Sequence, residues 1–210
     1  MKTPIELWVR LKVIDLVAQT AWITFTEKLD FAGRLKGIVH YWYWGMEAEG
    51  ADAAAILAEI DRAIRLDSAF TNQNKHLYRL AASGAPVLGD LPLDRDFPMP
   101  GGAAPAGAGL FALDCLIREK RPDREIGFAE RLNGRLRGVF VSKLKHGEVW
   151  RLITSAPSSE AALADVERML VSRSRREGLL LNPHYQQYEI LSATRLDGGA
   201  PQPAPRRAKE

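Results

Sequence analysis

Apolar residues alternate along Ile5, Leu7, Val9, Leu11 and Val13, with mostly polar residues between them. A two-residue period predicts a strand with one buried face. Ala18, Trp22, Phe25 and Leu29 then recur at helical spacing and predict one apolar stripe. Leu35 to Glu49 holds the β-rich run Ile38-Val39-His40-Tyr41-Trp42-Tyr43-Trp44, which reads as a bent strand or a tight hairpin. A second helix is predicted from about Ala51, with Ile56, Ile60 and Ile64 on one stripe, and a short strand near His76 to Leu80 closes the block.

The order then recurs. Phe111, Leu113, Cys115 and Ile117 alternate, and Pro122-Asp123 introduces a helix carrying Ile126, Ala129 and Leu132. Leu136 to Ala156 reads as a hairpin turning at His146-Gly147. Pro157 to Glu160 starts a helix lined by Leu163, Val166 and Leu170, and Tyr185 to Leu191 makes a last strand. The blocks also agree in letters. Glu27-Lys28-Leu29 followed by Gly33-Arg34-Leu35-Lys36-Gly37 matches Glu130-Arg131-Leu132 followed by Gly134-Arg135-Leu136-Arg137-Gly138. Ile60-Asp61-Arg62 matches Val166-Glu167-Arg168, and the closing strands share Tyr78 and Tyr188. These matches predict an internal duplication. The expected fold class is α+β, two tandem ferredoxin-like β-α-β-β-α-β repeats with their antiparallel sheets packed together. Repeat 1 spans 1–80 and repeat 2 spans 110–196. An Ala/Gly/Pro-rich linker joins them over 81–109, and a Pro/Ala/Gly-rich tail over 197–210 is expected to be disordered.

Each block resembles the small PurS-type subunit of phosphoribosylformylglycinamidine synthase. The local match is Leu179-Leu180-Leu181-Asn182-Pro183 running into Tyr188-Glu189-Ile190; the first block departs there, with Asp67 to Asn72 in place of that segment. The resemblance implies a non-catalytic accessory or bridging subunit of a larger enzyme, with that larger subunit or a second copy as partner. The layout is also similar to the dimeric α/β-barrel group of monooxygenase- and isomerase-like proteins. That similarity is one of fold, and it implies a small enzyme or ligand-binding protein that holds an aromatic molecule between sheet and helices.

Composition narrows the classes. With 46% hydrophobic and 26% charged residues over 210 positions, the chain has ample material for a core. No stretch approaches the roughly 20 apolar residues of a membrane span. Met1-Lys2-Thr3-Pro4 leads straight into the alternating pattern rather than into a signal-peptide core, so a cytoplasmic location is expected. Of the net charge of +3, Arg206, Arg207 and Lys209 against Glu210 supply all but one. A balanced body with a basic end argues against nucleic acid as partner. One cysteine allows neither a disulfide nor a cysteine-based zinc site.

The aromatic run is the most unusual feature. On a strand, Tyr41 and Tyr43 face one way while His40, Trp42 and Trp44 face the other. Large side chains on both faces predict that both are covered. His40, Tyr41, Trp42, Tyr43 and Trp44 are therefore the candidate interface or pocket wall, and the basic group Arg173, Arg175 and Arg176 is a second candidate contact surface. Lys36-Gly37 leading to Tyr43 is loosely similar to an RNA-recognition strand, but the flanking residues depart from that pattern. The four histidines show no metal-binding spacing. His40 and His76 would approach each other on paired strands, which matters for chemistry only beside a carboxylate such as Glu6. Cys115, in step with Leu113 and Ile117, reads as core. Ser155, Ser158 and Ser159 read as a turn with a helix cap, and no phosphate loop follows Gly101-Gly102. No catalytic residue, metal or cofactor is expected.

Overall fold

The computed structural model describes residues 2–92, 108–121, 123–174 and 177–197. They form a mixed α+β architecture of seven antiparallel strands and four α-helices. In chain order these are β1 (Lys2–Leu11), α1 (Leu16–Ile23), β2 (Leu35–Glu49), α2 (Ala53–Arg65), β3 (His76–Ala82), β4 (Leu88–Gly89), β5 (Gly109–Glu119), α3 (Asp123–Asn133), β6 (Phe140–Ala156), α4 (Ser159–Leu170) and β7 (Gln186–Arg195). A π-helical turn, Thr24–Lys28, continues α1. The predicted elements are present with one correction. His146 and Gly147 lie inside β6, which runs on as a single strand, so there is no hairpin there. The glycine with a turn conformation is Gly138, at φ +68° just ahead of the strand. Likewise β2 is one long strand rather than a hairpin.

Two compact units organise these elements. The first comprises Met1–Ile14, Tyr41–Leu93 and Arg121–Gly147; the second comprises Asp15–His40, Asp94–Lys120 and Glu148–Glu210. Each draws on both halves of the sequence, whereas one unit per half was expected. The reason lies in β2 and β6. Each is long enough to give its first part to one unit and its second part to the other.

In the first unit the strand order is β4-β3-β1-β2-β6. Ile5, Leu7 and Val9 of β1 lie opposite Met46, Trp44 and Trp42 of β2. The alternation read from the sequence puts one face of these strands on the stripe Ile56, Ile60 and Ile64 of α2. Leu132 of α3 and Val141 of β6 complete that core from the far half of the chain. The fully buried Asp67 carboxylate ties the same two halves together. It accepts hydrogen bonds from Arg131 Nε at 2.6 Å and Arg135 Nε at 2.9 Å. The opposite face of β1 and β2 is buried as well. Trp8 stands edge-on to Tyr41 and Tyr43, and both Trp8 Nε1 and the Tyr43 hydroxyl donate to Glu6. A Cβ at position 45 would lie 2.8 Å from the Tyr43 hydroxyl, so only glycine lets that phenol lie along the strand to reach Glu6.

In the second unit the order is β2-β6-β5-β7. Its core joins Ala18, Ala21, Phe25, Phe31 and Leu35 from the first half to Leu113, Cys115, Ile117, Trp150, Val166, Leu170 and Ile190 from the second. Arg34 pairs with Asp165 at 2.6 Å, and its carbonyl accepts from Ser155 N–H, which places Ser155 in the strand rather than in a turn. On the opposite sheet face, the buried Asp114 takes two hydrogen bonds from Arg151 and one from Ser192.

Several hydrogen bonds occur in like form in both units. Asp52 caps α2 at Ala55 N–H, and Ser158 caps α4 at Ala161 N–H. The Tyr78 hydroxyl donates to Asp61, and the Tyr188 hydroxyl to Glu167. Lys12 Nζ donates to the Gln73 carbonyl, and Lys120 Nζ to the Pro183 carbonyl. Asn72 and Asn182 each accept, on the side-chain oxygen, the N–H two residues on. Asn72 thus does in the first half what Asn182 does in the second, although the surrounding letters differ.

Because each core needs both halves, residues 1–92 and 108–210 prepared as separate polypeptides should each lack a cooperative thermal transition. Mixed in equal amounts, they should recover the near-ultraviolet circular dichroism of the intact chain. A cooperative transition in either half alone would show that one half suffices for a core.

Candidate functional site

The aromatic run divides at its first residue. His40 belongs to the second unit, whereas Tyr41, Trp42, Tyr43 and Trp44 belong to the first. Trp42 packs against His76, with ring centroids 5.3 Å apart. Trp44 stacks on His146 at 4.7 Å and 24°. The Phe128 ring stands 4.6 Å from His146 and edge-on to Trp44, and Phe70 closes the group 5.4 Å from Phe128. These side chains fill one another's space. The His146 peptide N–H donates to Glu125 Oε1, and its Nδ1 lies 3.1 Å from the Tyr43 carbonyl.

His40 belongs to the second unit, whereas His76 and Glu6 belong to the first. In the second unit its ring lies 4.6 Å from Trp150 at 32°. Its Nδ1 is 2.9 Å from Asp15 Oδ2, and its Nε2 is 3.6 Å from Glu148 Oε2. Asp15 also caps α1, accepting from Val17 N–H at 2.9 Å and Ala18 N–H at 3.2 Å, so one carboxylate fixes both the helix start and the imidazole. Glu148 reaches His40 because it sits two residues from Trp150 on the same face of β6. Burial disfavours the charged imidazole, but the hydrogen bonds and charges of Glu148 and Asp15 outweigh it. The His40 pKa is raised above its ordinary 6.5. The face of Trp150 acts in the same direction, since an indole attracts a cation.

The two stacks are built alike. In both β2 and β6 the tryptophan follows the histidine by four positions, and each histidine stacks on the other strand's tryptophan. They differ in what lies over them. Against Trp150 opens a cleft of about 480 Å³, lined by Leu16, Val17, Thr20, Ala21 and Thr24 of the first half and Leu179 and Leu180 of the second. Where Phe128 and Phe70 fill the space over Trp44, Ala21 and Leu180 leave room over Trp150. Six of the eight residues of α1 are apolar, and Leu16, Val17 and Ile23 are 70%, 58% and 41% exposed.

The remaining candidates have plain structural settings. Arg173 is exposed and lies beyond α4, which ends at Leu170; Arg168 is the cation of that helix's last turn and pairs with Glu177. Arg175 and Arg176 lie outside the described residues, as do 93–107 of the linker and 198–210 of the tail. Cys115 is fully buried in the second core, and burial pushes its thiol pKa well up, the opposite of what a nucleophile needs. Among the described residues no group of three or more His, Cys, Asp or Glu is placed to hold a metal ion. No described helix is long and apolar enough to cross a membrane.

Scans against family models, curated proteins and solved structures found no match for this chain.

Sequence reasoning found His40 but missed Asp15, Glu148, Trp150, Ala21 and Leu180. The signal available was the repeated His-x-x-x-Trp spacing of residues 40–44 and 146–150.

The raised pKa of His40 has a defined consequence for stability. The imidazolium is favoured in the folded state, so its contribution is fully present below the unfolded value near 6.5. It is lost as pH rises through the higher folded value. The melting temperature of the wild type relative to His40→Gln should therefore be most favourable near pH 5.5 and decline toward pH 9. A difference that is flat, or that grows with pH, would contradict this account.

Proposed function

We propose that the protein works by binding rather than by covalent chemistry, and that its site is the Trp150 cleft, which takes one flat aromatic group of a small molecule. One observation carries this reading: the same His–Trp stack is built twice, filled by Phe70 and Phe128 over Trp44 and open over Trp150. The filled copy displays the kind of group that fits. The cleft's size falls in the range of small-molecule sites, and its lining is predominantly apolar. This is the ligand-binding role that the α/β-barrel resemblance implies. The same reading takes the chain as a tandem duplication of ferredoxin-like repeats that have exchanged helices and strand halves. The paired caps, tyrosine–carboxylate bonds and lysine–carbonyl bonds support it.

The test uses an uncharged probe, 2-phenylethanol, followed by ligand-observed NMR. It should bind the wild type, and Ala21→Phe should abolish binding by supplying the ring from within, with the fold retained. Leu180→Phe gives a second, independent filling of the cleft. Absence of binding to the wild type, or equal binding to the wild type and both variants, would overturn the reading.

A second reading, the accessory-subunit role implied by the PurS-type resemblance, is favoured by a different observation. Helix α1 is apolar on nearly every side, and its exposed residues Leu16, Val17 and Ile23 form the kind of surface that marks a protein contact. In that case one larger enzyme should co-purify in fixed stoichiometry with the wild type and be lost with Val17→Asp. Recovery of the wild type alone at moderate salt would count against a partner. The two roles are compatible, because an accessory subunit carrying a ligand site is a regulatory one.

A further inference from the structure

Resting on the aromatic-ligand reading, we propose that the ligand of the Trp150 cleft is an uncharged aromatic hydrogen-bond donor of the phenol type. Its ring lies against Trp150 and its hydroxyl donates to Thr20 or Thr24. The residues that line the cleft carry this choice by themselves. Most of them are apolar, Thr20 and Thr24 bring two hydroxyls, and none of them carries a formal charge. Leu16, Thr20 and Thr24 follow one another at four-residue spacing along α1 and its π-helical continuation, which puts them in a row on one flank of the helix.

Both hydroxyls have already committed their hydrogens. Thr20 Oγ1 donates to the Leu16 carbonyl at 2.7 Å, and Thr24 Oγ1 donates to the Thr20 carbonyl at 2.9 Å. A hydroxyl holds one hydrogen and two lone pairs, so each oxygen can still accept but has no hydrogen to give. Several peptide N–H groups of the lining are committed as well. Val17 donates to Asp15, Thr24 to the Thr20 and Ala21 carbonyls, and Leu179 and Leu180 to the Met169 and Leu170 carbonyls. A ligand whose polar group only accepts, such as an ether, therefore meets threonine oxygens that cannot answer it. A carboxylate meets the same oxygens with no cation in the lining, and an ammonium meets no carboxylate there. Either ion gives up hydration that the cleft does not replace. A neutral phenol gives up far less, and it supplies the threonines with the hydrogen they lack.

The experiment compares 4-methylphenol, 4-methylanisole and 4-methylbenzoate on the intact protein at neutral pH, by calorimetry or ligand-observed NMR. The anisole is larger and more apolar than the phenol, so burial alone would rank it first. The phenol should instead bind about fivefold tighter, the gain expected of one added neutral hydrogen bond. The benzoate should bind more weakly than either. Thr20→Val and Thr24→Val each keep the shape of the side chain and remove its oxygen. At least one of them should bring the phenol-to-anisole ratio to one or below while leaving affinity for the anisole in place. Anisole binding as tightly as the phenol, benzoate matching the phenol, or a ratio unchanged in both variants would overturn the donor assignment and leave the aromatic site standing. Failure of all three probes would overturn the site itself.

Discussion

The structure depends on two strands that each serve two cores. A strand with core side chains near both ends cannot shift register by one residue without moving every side chain to the wrong face. β2 and β6 are held in this way at both ends, by Leu35 and Trp44 in one case and by Val141 and Trp150 in the other. Everything else follows from their span. Helix α1 leaves β1 behind and packs in the second unit, while α3 packs in the first. Asp67 finds its cations on α3 and just beyond it, and Arg34 finds Asp165 on α4, each across a large separation in sequence. Such pairs add modest stability of their own, but a fully buried carboxylate deprived of its guanidinium partners is costly, so they specify which halves belong together.

That sharing also places two like-built stacks in different surroundings. Each His–Trp stack combines a histidine of one half with a tryptophan of the other, so neither half holds a complete site. Over Trp44, two phenylalanines complete an aromatic group and the site is closed. Over Trp150, Ala21 and Leu180 line a cleft, and beside it a buried imidazole is held by two carboxylates. One stack is closed by neighbouring rings. The other keeps open apolar surface, which has no stabilising role in the isolated chain.

Much of the secondary structure was legible, because period-2 and helical apolar patterns report directly on which face is buried. Ile5 to Val9, the Ile56-Ile60-Ile64 stripe and Leu113 to Ile117 take their predicted places. The error at His146-Gly147 has a physical cause: glycine is compatible with an extended strand as well as a turn, and nothing local distinguishes the two. The partition into units was not legible. Periodicity reports that a face is buried and not which segment buries it, so α1 gave no sign that its neighbours lie beyond residue 110. For the same reason His40 could be singled out while Asp15 and Glu148 could not. Asp15 reads as an ordinary helix cap and Glu148 as a surface strand residue until both are seen on one imidazole.

The placement of α1 bears on how the protein is made. Apart from Phe31 and Leu35, the core residues that share a cluster with Ala18, Ala21 and Phe25 begin at Phe111 and extend to Ile190. At ribosomal rates of about 5–20 residues per second, the helix leaves the exit tunnel on the order of ten seconds before its core partners exist. Throughout that interval most of the core that covers its apolar surface has not been made. The nascent chain is thus a natural client for a chaperone that recognises short hydrophobic segments. Synonymous changes that slow translation between residues 30 and 110 would lengthen that exposure without altering a single amino acid.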